Sequence, residues 1–539
     1  MDVCILTAGR GTRLGAAGQS VNKGLLPIRG KAALTHLIER FPAGTRFVVA
    51  VGHLAAQVEE YLRLAHPDAR FELVPVMPFE GPGSGPGMSA LCCEPKLPGP
   101  FFLVCSDTWW PEEGILADEP ASSVAWTADV PQAESRDYCN LEVVDGQVRD
   151  ILDKSEASGR GAWVGLAFVR EPARFFDGIR GSAGIQGELQ LSGGLKALMR
   201  GGRLETRHLE GWHDLGTAQR YARARDALDP CRFDKEGELF FHVGSRVLKF
   251  FSDPMIVENR VRRARLRPEL FPEIVGQGRN LYAYRYLEGQ TLYDCPDPGI
   301  VADLLAWLTS SVWLKPDRVP ADFRAQCLAF YRARTEARLE RAERALPEGE
   351  PRAINGMDVP RGRELLARVP WEVLAEGIPA FIHGDLQLDN IVVGPGSGGA
   401  PRFHLIDWRQ DFAGSLETGD LYYDFAKLLA SIQLDFRALA RGEFQITRLS
   451  DGLLLEGPAG RSTRALRALV EREATGSHAL DLGRLRLLIG LVYLNMAGLH
   501  SGDQARLLYH QGRLALSEAL SGGHASGTPT TIEGWTARS

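Results

Sequence analysis

The chain has 539 residues, 44% of them hydrophobic and 24% charged, an ordinary globular composition that excludes wholesale disorder. Lys and Arg number 62 against 68 Asp and Glu, a net charge of −6, so there is no global basic excess to hold nucleic acid or an anionic membrane. Met1 to Thr7 has no basic stretch before an apolar one, the apolar run Leu487–Leu494 is far short of the ~20 residues of a bilayer span, and the scattered cysteines show no CxxC spacing, which together point to free thiols in the cytoplasm.

In chain order, Val3–Leu6 predicts a first strand followed by a glycine-rich turn. Leu34–Phe41 has helical spacing, Phe47–Val51 reads as a buried strand, and Ala55–Leu64 is a helix with apolar residues on one side. Phe71–Val76 is a strand, Met88–Cys93 begins a helix, and Phe101–Cys105 is an apolar strand closely followed by Asp107. That rhythm predicts an α/β unit with a mostly parallel sheet. Strands are expected at Ser123–Thr127, Leu141–Val144 and Trp163–Val169, and helices at Glu188–Met199 and Ala218–Leu228. A break falls near Asp229 and Pro230. Beyond it, Glu238–His242 and Arg246–Phe251 predict a hairpin across Val243-Gly244-Ser245. A basic helix is expected over Ile256–Arg267, then a strand at Leu281–Tyr286. From Pro298 onward the pattern is largely helical, except for strands at Ile391–Val393 and Phe403–Ile406. Ser521–Ser539 is rich in Gly, Ser and Thr and reads as a frayed tail.

Two constellations carry chemistry. The first is Leu6-Thr7-Ala8-Gly9-Arg10-Gly11-Thr12-Arg13-Leu14, followed by Asn22-Lys23-Gly24-Leu25-Leu26-Pro27. Glycines at such a turn let backbone N–H groups approach phosphates, although a tight strand-to-helix turn uses them as well. Val104-Cys105-Ser106-Asp107, Ile151-Leu152-Asp153-Lys154-Ser155 and Trp212-His213-Asp214-Leu215-Gly216-Thr217 follow in order. The series resembles the signature of sugar-nucleotide and cytidylyl transferases with a Rossmann-type fold. The resemblance implies Mg²⁺ held by Asp107 and Asp214, a triphosphate held by Lys23 and Arg13 against the turn Gly9, Gly11 and Thr12, and an attacking phosphate fixed by Lys154. The loop Gly83, Ser84 and Gly85 sits where this family reads the base. With Ser89-Ala90-Leu91 after it, the loop is similar to the phosphocholine cytidylyltransferase branch and leans toward CTP. Glu188 could face the substrate or cap its helix.

The second is Phe381-Ile382-His383-Gly384-Asp385-Leu386-Gln387-Leu388-Asp389-Asn390, then Leu405-Ile406-Asp407-Trp408. These residues resemble the catalytic loop and metal segment of the aminoglycoside phosphotransferase and choline kinase family. The resemblance implies that Asp385 accepts the proton of the acceptor hydroxyl and that Asn390 and Asp407 hold Mg²⁺ against ATP. His383 is expected to support the loop, Asp389 to lie on the surface, and Asp420 and Asp424 to be structural. Lys249 is the expected phosphate contact, Glu258 its ion-pair partner, and the backbone around Glu288 the adenine hinge. Arg260, Arg262, Arg263, Arg265 and Arg267 read as a solvated helix face.

The resemblances imply an α/β chain: a Rossmann-like mixed-sheet nucleotidyltransferase domain over 1–229, a kinase-like N-lobe over 230–290, a largely helical C-lobe over 291–520 and a flexible tail over 521–539. The expected function is a bifunctional enzyme using ATP and a second NTP, CTP by the loop. It would phosphorylate a small alcohol, amino alcohol or polyol and then activate the phosphate for cell-surface glycan or lipid decoration. A sugar anomeric kinase fused to a sugar-1-phosphate nucleotidylyltransferase using UTP or GTP is the alternative. A degenerate, regulatory role for one domain is the third reading. The expected partner is the small alcohol or sugar, with no nucleic acid and no membrane insertion. A homo-oligomer stays open.

Overall fold

A computed structural model describes residues 1–111, 116, 118–153, 161–184, 187–202, 204–229, 237–344, 346, 349–396, 400–458 and 463–522. The chain divides into two compact units. The first comprises the described residues of Met1–Pro230 together with Gly237–Pro254 and Gly276–Ala283. The second is built mainly from Met255–Val275 and the described residues of Tyr284–Ser539. Segments expected in a kinase-like N-lobe thus fall in both units.

The first unit is organised on a nine-stranded mixed sheet. From one edge the strands are Arg70–Pro75, Arg46–Val51, Asp2–Leu6, Phe101–Cys105, Ala162–Val169, Ser123–Ala128, Leu204–His208, Gln147–Leu152 and Asn140–Val144. The first four run parallel. The inner three, Arg46–Val51, Asp2–Leu6 and Phe101–Cys105, carry continuous rather than alternating apolar runs because strands covered on both faces bury both rows of side chains, whereas the edge strand Arg70–Pro75 has no buried residue. Val3, Ile5, Val48, Val49, Phe102 and Val104 are all buried. Gln147–Leu152 and Leu204–His208 are strands that the sequence reading did not predict. The expected helix over Glu188–Met199 begins only at Ser192 and runs to Arg200. Residues Gly187–Leu189 instead lace onto the Gly83–Gly87 loop: Gly83 N–H donates to Gly187 O at 2.7 Å, Leu189 N–H to Ser84 O at 2.8 Å and Gly87 N–H to Leu189 O at 2.9 Å. Glu188 therefore does not cap that helix. The hairpin Glu238–Val243 and Arg246–Phe251 forms as expected, with Glu238 opposite Phe251.

The second unit is mainly helical. Leu421–Gln433, Leu482–Ala497 and Gly502–Leu520 supply much of its interior, including Phe425, Leu428, Leu494 and Leu508. A three-stranded sheet joins Gln290–Thr291 to Ile391–Pro395 and Pro401–Leu405, the latter two directly after Phe381–Asn390. A further four-stranded sheet, absent from the sequence reading, joins Met357–Asp358, Ala353–Ile354, Gly452–Glu456 and Gln445–Arg448. Its first turn is Asn355-Gly356, both with positive φ, the pair that two-residue hairpins favour. No helix among the described residues is long and apolar enough to cross a membrane.

Candidate functional site

The first unit brings Arg13, Lys23, Asp107 and Asp214 together near the carboxyl ends of the parallel strands, where open α/β sheets bind ligands. Gly9 to Thr12 follow the strand Asp2–Leu6, and Asp107 follows the adjacent strand Phe101–Cys105. Gly11 adopts a left-handed conformation ahead of the short 3-10 turn Thr12–Leu14, which leaves Thr12 and Arg13 exposed. A two-stranded ribbon carries the second aspartate: Asp214 pairs with Thr108 and His213 with Trp109, and Leu215 N–H donates to Asp107 O at 2.8 Å. Pairing one residue beyond Asp107 thus sets Asp214 beside it. A Cβ placed on Gly216 would stand 3.0 Å from Asp214 Oδ1, 3.2 Å from Asp107 Oδ2 and 3.7 Å from Arg13 Nη2. Both carboxylates and Arg13 therefore converge on a point only glycine leaves open.

Lys23 Nζ donates to Asp107 Oδ2 at 3.1 Å. Burial alone would push the Asp107 carboxyl up, but the Lys23 ammonium, with Arg13 behind it, outweighs burial and holds the carboxyl below the usual carboxylate range. Lys23 is in turn held above the ordinary ammonium value, because Asp107 outweighs its own burial. Asp214 Oδ2 accepts from Tyr138 Oη at 2.8 Å and Arg220 Nη1 at 3.0 Å, and Oδ1 accepts from Gly216 N–H at 2.7 Å. Mg²⁺ takes one or two carboxylates and leaves its other positions to water and phosphate, so the pair meeting at Gly216 fits that ion.

Asn22, which the sequence reading passed over, organises this turn. It is fully buried. Its amide donates to Thr7 O at 3.1 Å and His53 O at 2.8 Å, while its oxygen accepts Gly24 N–H at 2.9 Å. In the loop expected to read the base, Gly83 and Gly85 have positive φ. A Cβ at Gly85 would lie 2.6 Å from Leu189 O, so that glycine permits the lacing. Ser84 is buried and its hydroxyl turns inward to Gly81 O at 2.6 Å, leaving backbone as what the loop presents. Glu188 is exposed. Lys154, expected to fix the attacking phosphate, lies outside the described residues. Its neighbour Asp153 pairs with Lys196 at 2.6 Å.

In the second unit, Asp385, Asn390 and Asp407 are linked through the loop that bears them. Asn390 Nδ2 donates to Asp385 O at 2.8 Å, which turns Asn390 Oδ1 away as the remaining acceptor. Ile406 N–H donates to Asn390 O at 2.9 Å, seating Asp407 beside it. Asp407 has φ 56°, a left-handed conformation unusual for a non-glycine residue and of the kind that gathers at functional sites. An amide oxygen and a carboxylate are hard donors that fit Mg²⁺. His383 is buried; its Nδ1 accepts Asp385 N–H at 3.2 Å and its Nε2 donates to Ile406 O at 2.9 Å. Burial holds it down to about 4, so it is neutral and supports the loop. Asp424 accepts from His383 N–H and Gly384 N–H, both at 2.7 Å, and from Trp313 Nε1 at 3.0 Å. Asp420 accepts from Tyr331 Oη at 2.7 Å and Ile378 N–H at 2.9 Å. Both are structural, as expected.

Three expectations are corrected. Glu258 is exposed and forms no ion pair among the described residues. The helix Pro254–Leu266 buries Val257, Arg260, Val261 and Ala264, and Glu258 is off that stripe. Lys249 lies 3.5 Å from Glu238 instead. The basic run is not merely solvated: Arg263 is buried and donates to the carbonyl oxygens of Leu416, Arg409 and Ile382, tying the segment ahead of Asp385 to the one that follows Asp407. Asp389 is half-buried and paired with Arg437, which also binds Asp294 and Thr291. Glu288 is exposed. The residue the sequence reading underused is Lys427, buried and 2.7 Å from Asp385 Oδ1.

Residues 3–132 match the family model of the MobA-like NTP transferase domain, and residues 255–466 that of the phosphotransferase enzyme family. Asp214 and Lys249 lie outside the matched spans. The chain is 26% identical over 222 residues to "Bifunctional protein GlmU" of Methanococcus maripaludis, covering 40% of this chain and 51% of that protein. It thus spans about half the length of that curated relative. It is 23% identical over 242 residues to "UTP--glucose-1-phosphate uridylyltransferase AglF" of Haloferax volcanii, covering 42% of this chain and 95% of that protein. Among solved structures, a UDP-glucose pyrophosphorylase complexed with UDP-glucose matches at TM-score 0.36 and 18% identity, over 43% of this chain and 99% of the other. A UDP-glucose pyrophosphorylase from Acinetobacter baumanii matches at TM-score 0.33 and 16% identity, over 42% and 92%.

Proposed function

Since one chain joins a MobA-like NTP transferase domain to a phosphotransferase-family domain, we propose that it catalyses two consecutive steps on one small molecule. In the first, the acceptor hydroxyl oxygen attacks the γ-phosphorus of ATP, its proton passes to Asp385, and ADP leaves. In the second, the new phosphate attacks the α-phosphorus of an NTP, the α–β bond breaks and pyrophosphate leaves. Lys23 and Arg13 meet the charge of the departing pyrophosphate, and Lys154 orients the attacking phosphate. Asp107 and Asp214 would hold Mg²⁺ at the transferase site, and Asn390 and Asp407 at the kinase site, where the ion neutralises phosphate charge as bonds form and break.

The observation that carries this reading is the convergence of Asp107, Asp214 and Arg13 on Gly216. A degenerate binding module has no reason to keep that opening. The resemblance of the Gly83–Ser89 segment to the phosphocholine cytidylyltransferase branch supports CTP as the NTP. The second reading, a sugar-1-phosphate nucleotidylyltransferase using UTP behind an anomeric kinase, is supported by the name of the Haloferax volcanii relative.

The test is to incubate the full chain with ATP, Mg²⁺ and CTP, UTP or GTP against a panel of alcohols, polyols and sugars. Pyrophosphate release and product mass are the readouts. A CMP-bearing product is expected. Comparable turnover with UTP would favour the sugar reading, and no pyrophosphate with any NTP and any pre-phosphorylated acceptor would overturn the transferase.

A further inference from the structure

The second unit concentrates positive charge beside Asp385 that the two proposed steps do not use. Arg334 and Arg338 stand one turn apart on the helix Arg334–Glu343. Arg334 Nη2 donates to Tyr423 Oη at 2.9 Å and its Nε to Asn495 Oδ1 at 3.2 Å; Arg338 reaches the same Asn495 oxygen at 3.5 Å. Arg409 follows the metal segment, and its N–H donates to His383 O at 3.1 Å. The guanidinium carbons of Arg334 and Arg409 lie 4.1 and 4.8 Å from the centre of the Phe330 ring. Phe330 is thus a shared platform for two cations.

None of these arginines is ion-paired with a carboxylate among the described residues. Arg334 Nη1 and Arg409 Nε are buried without a hydrogen-bond partner. Asp385 acts on Arg338 and Arg409 only at longer range, because its Oδ1 is already taken by Lys427 at 2.7 Å and Gln387 at 2.9 Å. Burial, with Arg334 and Arg409 adding to it, pushes Arg338 down to about 9. Unpaired, partly buried guanidinium groups are costly. Their fork geometry suits a carboxylate or phosphate presented in their plane.

We propose that the alcohol phosphorylated by the second unit carries an anionic group, a carboxylate or a phosphate, which Arg334, Arg338 and Arg409 hold while its hydroxyl meets Asp385. The inference rests on the kinase reading of Asp385 and narrows its acceptor. The same charges repel a purely cationic amino alcohol.

The test measures ADP formation by the full chain, with Mg²⁺ and ATP, on matched acceptors. Glycerate, glycerol 3-phosphate and glycerol form one set; glucuronate, glucose 6-phosphate and glucose form another; choline is the cationic control. Higher kcat/KM is expected for the anionic members, and the carboxylate and phosphate arms separate the two sources. Arg338→Gln should lower the anionic-over-neutral ratio of kcat/KM by roughly 10- to 100-fold, the range for hydrogen bonds to charged groups. Arg338→Lys should restore part of it. Circular dichroism and melting curves confirm that each variant is folded. Equal loss on anionic and neutral acceptors, or preference for neutral compounds or choline, would overturn the proposal without touching the kinase reading. Equilibrium binding of glucuronate and glycerol 3-phosphate beside a non-hydrolysable ATP analogue separates the two claims further. Asp385→Asn should still bind them and Arg338→Gln should bind them more weakly. No binding to the wild-type chain would overturn the anion site, whereas phosphotransfer retained by Asp385→Asn would overturn the kinase reading.

Discussion

Lys427 holds its ammonium 2.7 Å from Asp385 Oδ1, and Gln387 Nε2 donates to the same oxygen at 2.9 Å. Two donors on one oxygen fix the rotamer of the proposed base before any substrate arrives. A pre-positioned carboxylate is what proton abstraction needs, since geometry comes before acidity in that step.

Asp385→Asn keeps the shape and removes the proton acceptor. Phosphorylation should fall by roughly 10² to 10⁴. Supplying the pre-phosphorylated compound should restore product formation, because the proposed transferase site uses Asp107 and Asp214 instead. ADP-coupled and pyrophosphate-coupled assays on the same preparation check both halves. Normal ADP formation by the variant would remove Asp385 from the mechanism.

Gly216→Ala should silence nucleotidyl transfer with little effect on folding. Its φ is not positive, so alanine fits the backbone, but the new methyl would stand 3.0 Å from Asp214 Oδ1 and 3.2 Å from Asp107 Oδ2. Asp107→Ala should do the same by removing a ligand. Both variants should keep ATP consumption by the kinase. Full pyrophosphate release from either one would break the assignment of this site.

Arg263→Met should destabilise the second unit. It leaves the carbonyls of Leu416, Arg409 and Ile382 without their donor. Each buried acceptor so orphaned costs ~1–3 kcal/mol. A loss of about 3 kcal/mol lowers the melting temperature by roughly 6–12 °C in a domain of this size. Calorimetry reads it directly, and an unchanged transition would show that the helix contributes nothing to the loop.

Tyr423 should ionise early. Burial would raise its phenol, but Arg334, Lys427 and Arg409 outweigh that and hold it down to about 8. A depressed acid stabilises the folded state above its unfolded value, near 10, and that contribution is lost as pH falls through about 8. Phenolate absorbance should therefore show one midpoint near pH 8 that disappears in Tyr423→Phe. A first midpoint at 10 or above would mean the three cations do not act on it.

How much of this was readable beforehand differs residue by residue. Asp107 and Asp214 stood out because each sits in a recognisable local pattern, while their nearness follows from the pairing of Thr108 with Asp214, which no local pattern carries. Asn22, Arg263 and Lys427 did not, because their meaning lies in partners tens to more than a hundred residues away. Glu258 was misjudged by helical phase: one step from Val257 turns a buried position into an exposed one. Glu188 and Leu189 were expected to open a helix, yet the backbone of Gly187–Leu189 is taken up by the Gly83–Gly87 loop. The Asn355-Gly356 hairpin carried a plain signal and was overlooked within a helical stretch.

The order in which the two units draw on the chain constrains how the protein can be taken apart. The first unit uses residues on both sides of Met255–Val275, which belongs to the second. One protease nick, or one engineered fusion junction, therefore cannot release both units whole. A fragment ending at 229 forfeits the hairpin Glu238–Phe251, and one ending at 283 carries a helix severed from its own unit. Recombination that trades acceptor specificity between such chains has to move the pieces as an interleaved set, which favours inheriting both activities together over gaining either one alone.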